Sequence, residues 1–512
     1  SEDILVMLKK TLIPLLFIIA VTLMGVFQSC RKEVSFAINA VPLQFSKDTV
    51  LFDTVFTTIG SSTAWLMVTN PDPFPVMIDR IYLAGGTQSN FRMNVDGEAS
   101  TDVKDYKLAA GDSMFIFVEV TVDPNNSNNP MIITDSIMFE NKGLVQNVKL
   151  TAWGQDAHFI VADKNIGSLQ YKIVAGENDN VTWTNDKPWV VYGYAVVDSA
   201  GQLNIDPGTQ IHFHNNSGLW VYIDGCLKVN GTKDDPVMFQ GDRLEDYYKD
   251  IPGQWDRIWI NEGSRDSEIN YAVIRNGFIG IQAERLGNDP YNNKLVINNT
   301  KVENMSGKGI FTRSFRVEAT NCLVTNTGDV SVYLAEGGSY DFRHTTIANY
   351  WAYSTRQSPA VVISNYYYDA ANNLIFAGDL NKAFFGNCMI YGSNKEEFAT
   401  ADDYGGLFNY TLDHCMVKTS INPAADPTHW INCMTRNSDL PGYDPGEPVF
   451  SDAFNGDYSP DSLSVLIDYG SMQVINGAPV QPPGIIQSDL FENSRISDNG
   501  PDLGAIEFVP GK

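Results

Sequence analysis

Basic residues are in short supply in this 512-residue chain: 35 Lys and Arg stand against 61 Asp and Glu, a net charge of −26. Phosphate backbones are held by Lys/Arg footprints, so this balance argues against a nucleic-acid partner. It argues equally against adhesion to anionic lipid through a basic face. Cysteine and histidine are scarce, six of each. Six cysteines over this length make no disulfide-rich scaffold, and the lack of any Cys-x-x-Cys removes a zinc ribbon or redox pair. Without Cys30, treated below, five remain (Cys226, Cys322, Cys388, Cys415 and Cys433), so at least one is expected to be a free thiol. Neither a 3.6-residue period nor the LxxLxL of leucine-rich repeats is found. What is plentiful is Gly, Asn, Tyr, Phe, Val, Ile and Thr, a mixture that favours strands and turns over helices. Hydrophobic content of 43% supplies a buried core.

The N-terminal segment reads as an address rather than as fold. Lys9 and Lys10 precede an apolar run from Leu12 to Phe27, and Ser29-Cys30 follows. The run suits a signal peptide and is short for a transmembrane helix. Ser29-Cys30 resembles a bacterial lipobox, although Phe27 and Gln28 depart from its common pattern. The resemblance implies cleavage before Cys30 and diacylation of its thiol. Residues 1–30 are therefore expected to be a lipoprotein signal peptide, and 31–42 a linker.

Residues 43–157 alternate apolar and polar positions in short runs, such as Val76 to Leu83 and Met114 to Val120, separated by turns such as Asn70-Pro71-Asp72-Pro73. About seven such strands predict two packed antiparallel sheets, a β-sandwich with a spacer or docking role. Residues 158–188 read as a connector. From 189 to 440 the sequence repeats loosely. Leu203 to Thr209 recurs at Leu227 to Thr232, and an apolar-x-Asn element recurs at Ile274–Asn276, Val302–Asn304, Val324–Asn326 and Ile347–Asn349, with Asn offsets of 28, 22 and 23. Periods of about 20–30 residues built of short strands and Gly/Asn turns predict a parallel β-helix. In it Val324 and Ile347 face inward, and Asn326 and Asn349 stack at a bend, since Asn tolerates the left-handed backbone there. Cys322, Cys388 and Cys415 share one register and read as small core residues.

The first module looks like the immunoglobulin-like modules of bacterial envelope proteins. The repeats resemble the right-handed parallel β-helix lipoproteins of Bacteroidota-type bacteria. Residues 441–512 resemble the closing segment of such proteins, above all Pro501-Asp502-Leu503-Gly504-Ala505-Ile506-Glu507-Phe508. The resemblance implies an all-β protein lipid-anchored at the outer membrane, on the cell surface rather than the periplasmic face. It says little of chemistry, because the fold hosts many functions.

Candidate chemistry is thin. Lys308, Arg313, Arg316, Arg343 and His344 are the basic groups a polysaccharide lyase needs, but they are scattered. Asp402-Asp403 lacks the partner motifs of pectin-type hydrolases. His212 and His214 alternate with Ile211 and Phe213 and are expected to face outward, with no third metal ligand. Asp444, Glu447, Asp452 and Asp457 read as turn-capping acids. No cofactor and no metal is expected. Aromatic clusters carry more: Tyr350, Trp351 and Tyr353, then Tyr366, Tyr367 and Tyr368, and a further group of Tyr247, Tyr248, Trp255 and Trp259. Exposed Tyr and Trp serve as sugar platforms or protein anchors. Binding is thus favoured over catalysis: a scaffold or accessory subunit that takes a glycan or an outer-membrane barrel protein. The alternative is a polysaccharide lyase or glycoside hydrolase on the same scaffold.

Overall fold

A computed structural model describes residues 35–56, 60–61, 63–122, 131–263, 265–286, 294–436, 448–474, 478–479 and 487–511. Cys30 with its preceding apolar run, Asp444 and Glu447 lie outside the described residues. The protein is all-β: apart from four short 3-10 helices, its described regular elements are strands. By contact the described residues divide into two units, the first holding 35–52, 60–61, 63–122 and 132–153, the second holding 53–56, 131 and all those from Gly154 onward.

The first unit holds two five-stranded sheets. One contains Ala64–Thr69 between Gln44–Phe45 and Ser113–Val120, all antiparallel. The other contains Val76–Leu83 between Asp102–Leu108 and Met131–Asn141, again antiparallel. The period-two alternation read from the sequence places Leu66, Val68, Ile116 and Val118 of one sheet, and Ile137 and Phe139 of the other, in the core; in Val76–Leu83 the alternation shifts by one residue at Asp79, so that both Ile78 and Ile81 are buried. Rings from the two sheets meet, Phe45 on Phe139 at 4.9 Å and Phe52 on Phe91 at 5.7 Å.

The second unit is built from an eleven-stranded and an eighteen-stranded sheet. Pairing within both is almost entirely parallel, and each strand pairs with one from the next pass of the chain. Ile211, Phe239, Ile274, Val302, Val324, Ile347, Ile390 and Val417 stand in one column of the smaller sheet, all fully buried. Ile258, Ile281, Ile310, Val332 and Val361 form a matching column in the larger one. The segment 158–188, expected as a connector, already belongs to this unit. His158–Val161 pairs with Trp189–Tyr192, and Leu169–Ala175 and Asn180–Trp183 pair with Tyr194–Val197 and Gln202–Ile205. Its polar outer positions hide the period.

Left-handed backbone recurs at two bends. Asn276, Asn304 and Asn326 have φ of 63°, 59° and 51°, and Asn304 donates to the Asn276 side-chain oxygen at 2.7 Å. Asn349 breaks this column: it is buried, and its amide donates instead to the Thr327 carbonyl at 3.0 Å and the Ser331 hydroxyl at 3.1 Å. The second bend carries Asn299, Asn321, His344, Asn387, His414 and Asn432, all with positive φ. The residue after each is Thr300, Cys322, Thr345, Cys388, Cys415 and Cys433. Each of these six donates its hydroxyl or thiol to the carbonyl two residues back, at 2.9 to 3.5 Å. The cysteines thus do what threonine does, in a small buried place. All five described cysteines are free and buried. Burial pushes the Cys322 thiol up to about 12.

The closing segment lies along the outer face of the eleven-stranded sheet. Leu466, Leu490, Leu503, Ala505 and Ile506 cover Leu323, Ala348, Met389, Met416 and Met434. Arg495, fully enclosed, ion-pairs with Glu507 and donates to the Asn321 side-chain oxygen at 3.0 Å and the Gly504 carbonyl at 3.0 Å. Gly504 sits at φ 95°, and a Cβ there would meet the Thr346 hydroxyl at 2.4 Å. The terminal motif is therefore a clasp: Glu507 accepts the Asp502 N–H, Asp502 that of Phe508 and Asp489 that of Glu507, and the glycine allows the close approach.

Candidate functional site

Side chains alternate across a strand, so the residues between the core columns of the larger sheet point outward. One outward column runs Val196, Trp220, Trp259, Gln282, Phe311, Tyr333. The indoles of Trp220 and Trp259 stack at 4.6 Å and 10°. Phe311 and Tyr333 stack at 5.4 Å and 22°. Gln282 is the one non-aromatic rung between the two stacks, and it is itself buried.

Two residues further along the same strands lies a polar column of Asn261, Glu284 and Arg313. Trp220 Nε1 donates to the Asn261 side-chain oxygen at 2.7 Å, and Trp259 Nε1 donates to Glu284 Oε1 at 2.7 Å. Gln282 Nε2 reaches the same oxygen at 2.9 Å. Arg313 pairs with Glu284 at 3.2 Å and Glu336 at 2.8 Å. On the other side, Asp256 pairs with Arg257 at 2.8 Å and accepts the Tyr194 hydroxyl, while Arg257 donates to the Gln282 side-chain oxygen. Burial, and then the Asp256 carboxylate, push the Tyr194 phenol above the usual tyrosine range. Of these residues Asp256, Arg257, Trp259, Gln282, Glu284, Phe311 and Arg313 line a cleft of about 360 Å³, together with Leu169, Tyr194 and Tyr367.

A larger volume, about 580 Å³, borders the closing segment. Its aspartates are spent on turns, Asp457 accepting the Ser459 N–H at 2.9 Å and Asp461 that of Leu463 at 3.1 Å, as nearby Asp452 accepts that of Asn455 at 3.2 Å, and its Glu507 is paired with Arg495. Among the described residues no group of His, Cys, Asp and Glu is arranged to hold a metal ion.

The aromatic clusters expected from the sequence separate. Tyr366–Asp369 forms a hairpin with Leu374–Ala377. This hairpin sets Tyr367 against Phe311 at 5.7 Å and beneath the Arg313 guanidinium at 4.3 Å, at the edge of the cleft. Tyr366 packs at a tilt of 57° on Tyr404, 4.7 Å between centroids, and Tyr368 is exposed, its hydroxyl bonded to Asn373. The earlier excursion sits elsewhere. Tyr350 stacks on Tyr458 at 6.3 Å, Trp351 packs on Tyr353 at 4.9 Å, and the Tyr353 hydroxyl donates to the Asp250 carbonyl. Trp255 leaves its expected group altogether: it is core, stacked on Phe213 at 4.6 Å, whereas Trp259 faces outward. Their even spacing does not distinguish them, because Trp255 lies before the strand Ile258–Asn261, in an isolated parallel bridge to Gly277.

His212, expected outward, is buried; its Nδ1 lies 3.0 Å from the Gly241 carbonyl, and burial lowers its pKa to about 4. His214 is half-exposed beside Asp242 at 2.8 Å. Of the scattered bases, Arg313 alone lines the cleft. Lys308 pairs with Asp329, Arg343 with Asp341, Arg316 is exposed and His344 is buried. The sequence reading missed Tyr194, Asp256, Arg257, Gln282 and Glu284; pairing Trp220 with Trp259 across the uneven repeat was the signal available. The first unit carries a separate exposed strip, Trp65 on Phe115 at 5.8 Å and Phe115 on Phe117 at 6.4 Å.

No protein-family model and no curated protein sequence matches the chain. Several solved structures match parts of it. A family 123 glycoside hydrolase from Clostridium perfringens has 8% identity and a TM-score of 0.17, over 24% of this chain and 30% of that one. The E. coli chaperone DraB has 12% identity and a TM-score of 0.17, over 23% and 57%. A protein of unknown function from Porphyromonas gingivalis W83 has 18% identity and a TM-score of 0.17, over 27% and 59%. The chain spans less than two thirds of each, and likenesses of this size carry no assignment.

Proposed function

We propose that this chain is an envelope lipoprotein, anchored through Cys30 in the outer membrane, that works by binding rather than by catalysis. In this reading the first unit is an immunoglobulin-like β-sandwich and the second a right-handed parallel β-helix. The parallel pass-to-pass registers and the two buried columns support the helix. The two five-stranded sheets support the sandwich. The lipobox resemblance alone supports the anchor and the surface location.

One observation carries the preference for binding. The carboxylates at the cleft are already engaged by donors of the protein itself. Glu284 takes Trp259, Gln282 and Arg313, and Asp256 takes Arg257 and Tyr194. A general acid must give up a proton and a general base must be free to take one. Carboxylates locked in such a network serve instead to fix the shape of a recognition surface. The ligand is a glycan or the outer-membrane barrel protein of a stable complex. A mild-detergent pull-down from native membranes, beside an assay for new reducing ends or unsaturated sugars, tests the reading. Stoichiometric retention of a ligand without turnover is the expected result. Turnover abolished by changing Arg313 or Glu284 would reverse it in favour of a polysaccharide-degrading enzyme.

A further inference from the structure

We infer that one loop end of the first unit, formed by residues 35–42 and 70–75, rests on the bilayer with Ile38 and Phe74 set into the headgroup layer. This rests on the Cys30 anchor proposed above and adds an orientation to it.

Phe36, Ala37, Ile38, Val41, Pro42 and Phe74 line an apolar groove of about 370 Å³. Ile38 is 91% exposed and Phe74 53%, and apolar groups grouped in this way on a surface mark a contact. The backbone that carries them is braced. The Ala37 N–H donates to the Pro75 carbonyl at 2.9 Å. Lys142 Nζ donates to the Ala37 carbonyl and, at 3.0 Å, to that of Ile38. The buried Asn141 amide donates to the Val41 carbonyl at 3.0 Å. On the other loop, the buried Asn70 amide donates to the Phe74 carbonyl at 3.0 Å, and Asp72 accepts the Phe74 N–H at 2.9 Å. Both apolar side chains are thus presented to the outside by a fixed frame.

Distance names the occupant. Ser35, which also lines the groove, stands five residues after Cys30. Five residues span at most about 18 Å. Acyl chains on Cys30 enter the hydrocarbon, and the headgroup layer above it is about 5–8 Å thick. The groove is therefore tethered within reach of that layer whatever path the chain takes. Charge does not oppose the contact. Lys107, whose Nζ lies 5.2 Å from the centre of the Phe36 ring, and Lys142 nearly cancel Asp72, Asp79 and Asp112 at this end, on a chain of net charge −26. An apolar contact of this kind suits zwitterionic lipid and needs no basic face. Two or three side chains orient the protein, while the acyl chains hold it.

The full-length acylated protein, carrying a fluorophore on Asn39→Cys, is reconstituted in phosphatidylcholine vesicles with and without phosphatidylcholine bearing a nitroxide high on its acyl chain. Asn39 is exposed beside Ile38, and the five described native cysteines are buried, so labelling is selective. The nitroxide lipid is expected to quench the label at least about twofold. Ile38→Asp with Phe74→Asp should abolish that quenching while the protein still floats with the vesicles. A label on Phe454→Cys, at a residue 94% exposed in the second unit, should stay unquenched. An unquenched label at position 39 on floating vesicles, or quenching undiminished by the two aspartates, overturns the inference and leaves the anchor intact. Protein that does not float removes the anchor and the inference with it. A label unquenched in vesicles and shielded from water only in native membranes overturns the inference in favour of a protein on the same groove.

Discussion

Arg356 shows how a single residue can hold a loop that the repeat pattern does not explain. Its guanidinium and the Glu397 carboxylate are almost wholly enclosed and paired at 2.5 Å. Glu397 also accepts the Ala360 and Asn394 backbone N–H groups at 2.9 and 2.8 Å, so the excursion after Asn349 is tied to the pass above it. Replacing Arg356 with Met leaves a buried carboxylate without its partner and should cost about 3–5 kcal/mol in urea denaturation. Adding Glu397→Leu should return part of that loss. His344 provides a second test. Burial first, then Arg495 and Arg343, lower its pKa well below 6.5, so it is neutral when folded and takes a proton on unfolding in acid. The sign follows: its contribution is complete above about pH 6.5 and is lost as pH falls, by up to about 1.4 kcal/mol per pH unit. Asn occupies the same bend at Asn321 and Asn387 with the same positive φ. His344→Asn should therefore fold, and its melting temperature should fall less between pH 7 and pH 5 than that of the parent.

At the scale of the strand, the inward columns decide whether a pass forms. Val324 lies fully buried between Val302 and Ile347. Val324→Asp places a charge there with no partner and should cost roughly 3 kcal/mol or more, seen as loss of near-ultraviolet dichroism or of soluble protein. A fully stable variant would refute the register. This register was legible in the sequence because the apolar-x-Asn element marks a core column in all four copies, and a bend as well at Asn276, Asn304 and Asn326. The cleft was not. Its parts come from Leu169 to Tyr367, across passes of unequal length, and outward parity shows only once each strand's inward residues are known. The same limit explains His212, whose alternation with Ile211 and Phe213 fixes its side of the strand and not what covers that side. The cysteine column was half legible: its core placement follows from composition, whereas its equivalence with Thr300 and Thr345 needed the geometry of the bend.

For the molecule as a whole, the address and the surface charge belong together. A protein of net charge −26 gains little from an anionic headgroup layer. Membrane attachment therefore falls to the acyl chains proposed at Cys30. Cys30→Ala should leave the membrane fraction, or persist unprocessed with a higher apparent mass. A variant that fractionates and migrates like the parent would remove the anchor.

The clasp has a consequence in time. Arg495 bonds to Asn321, and the Ala505 N–H bonds to the Thr346 hydroxyl, residues made 174 and 159 positions earlier. A chain that leaves the ribosome in order exposes Met389, Met416 and Met434 before anything is available to cover them. The interval between making the passes and fastening them is a window for chaperones and proteases. A transcript cut short after the last pass would yield a protein held in that window, marked for removal by its own uncovered methionines.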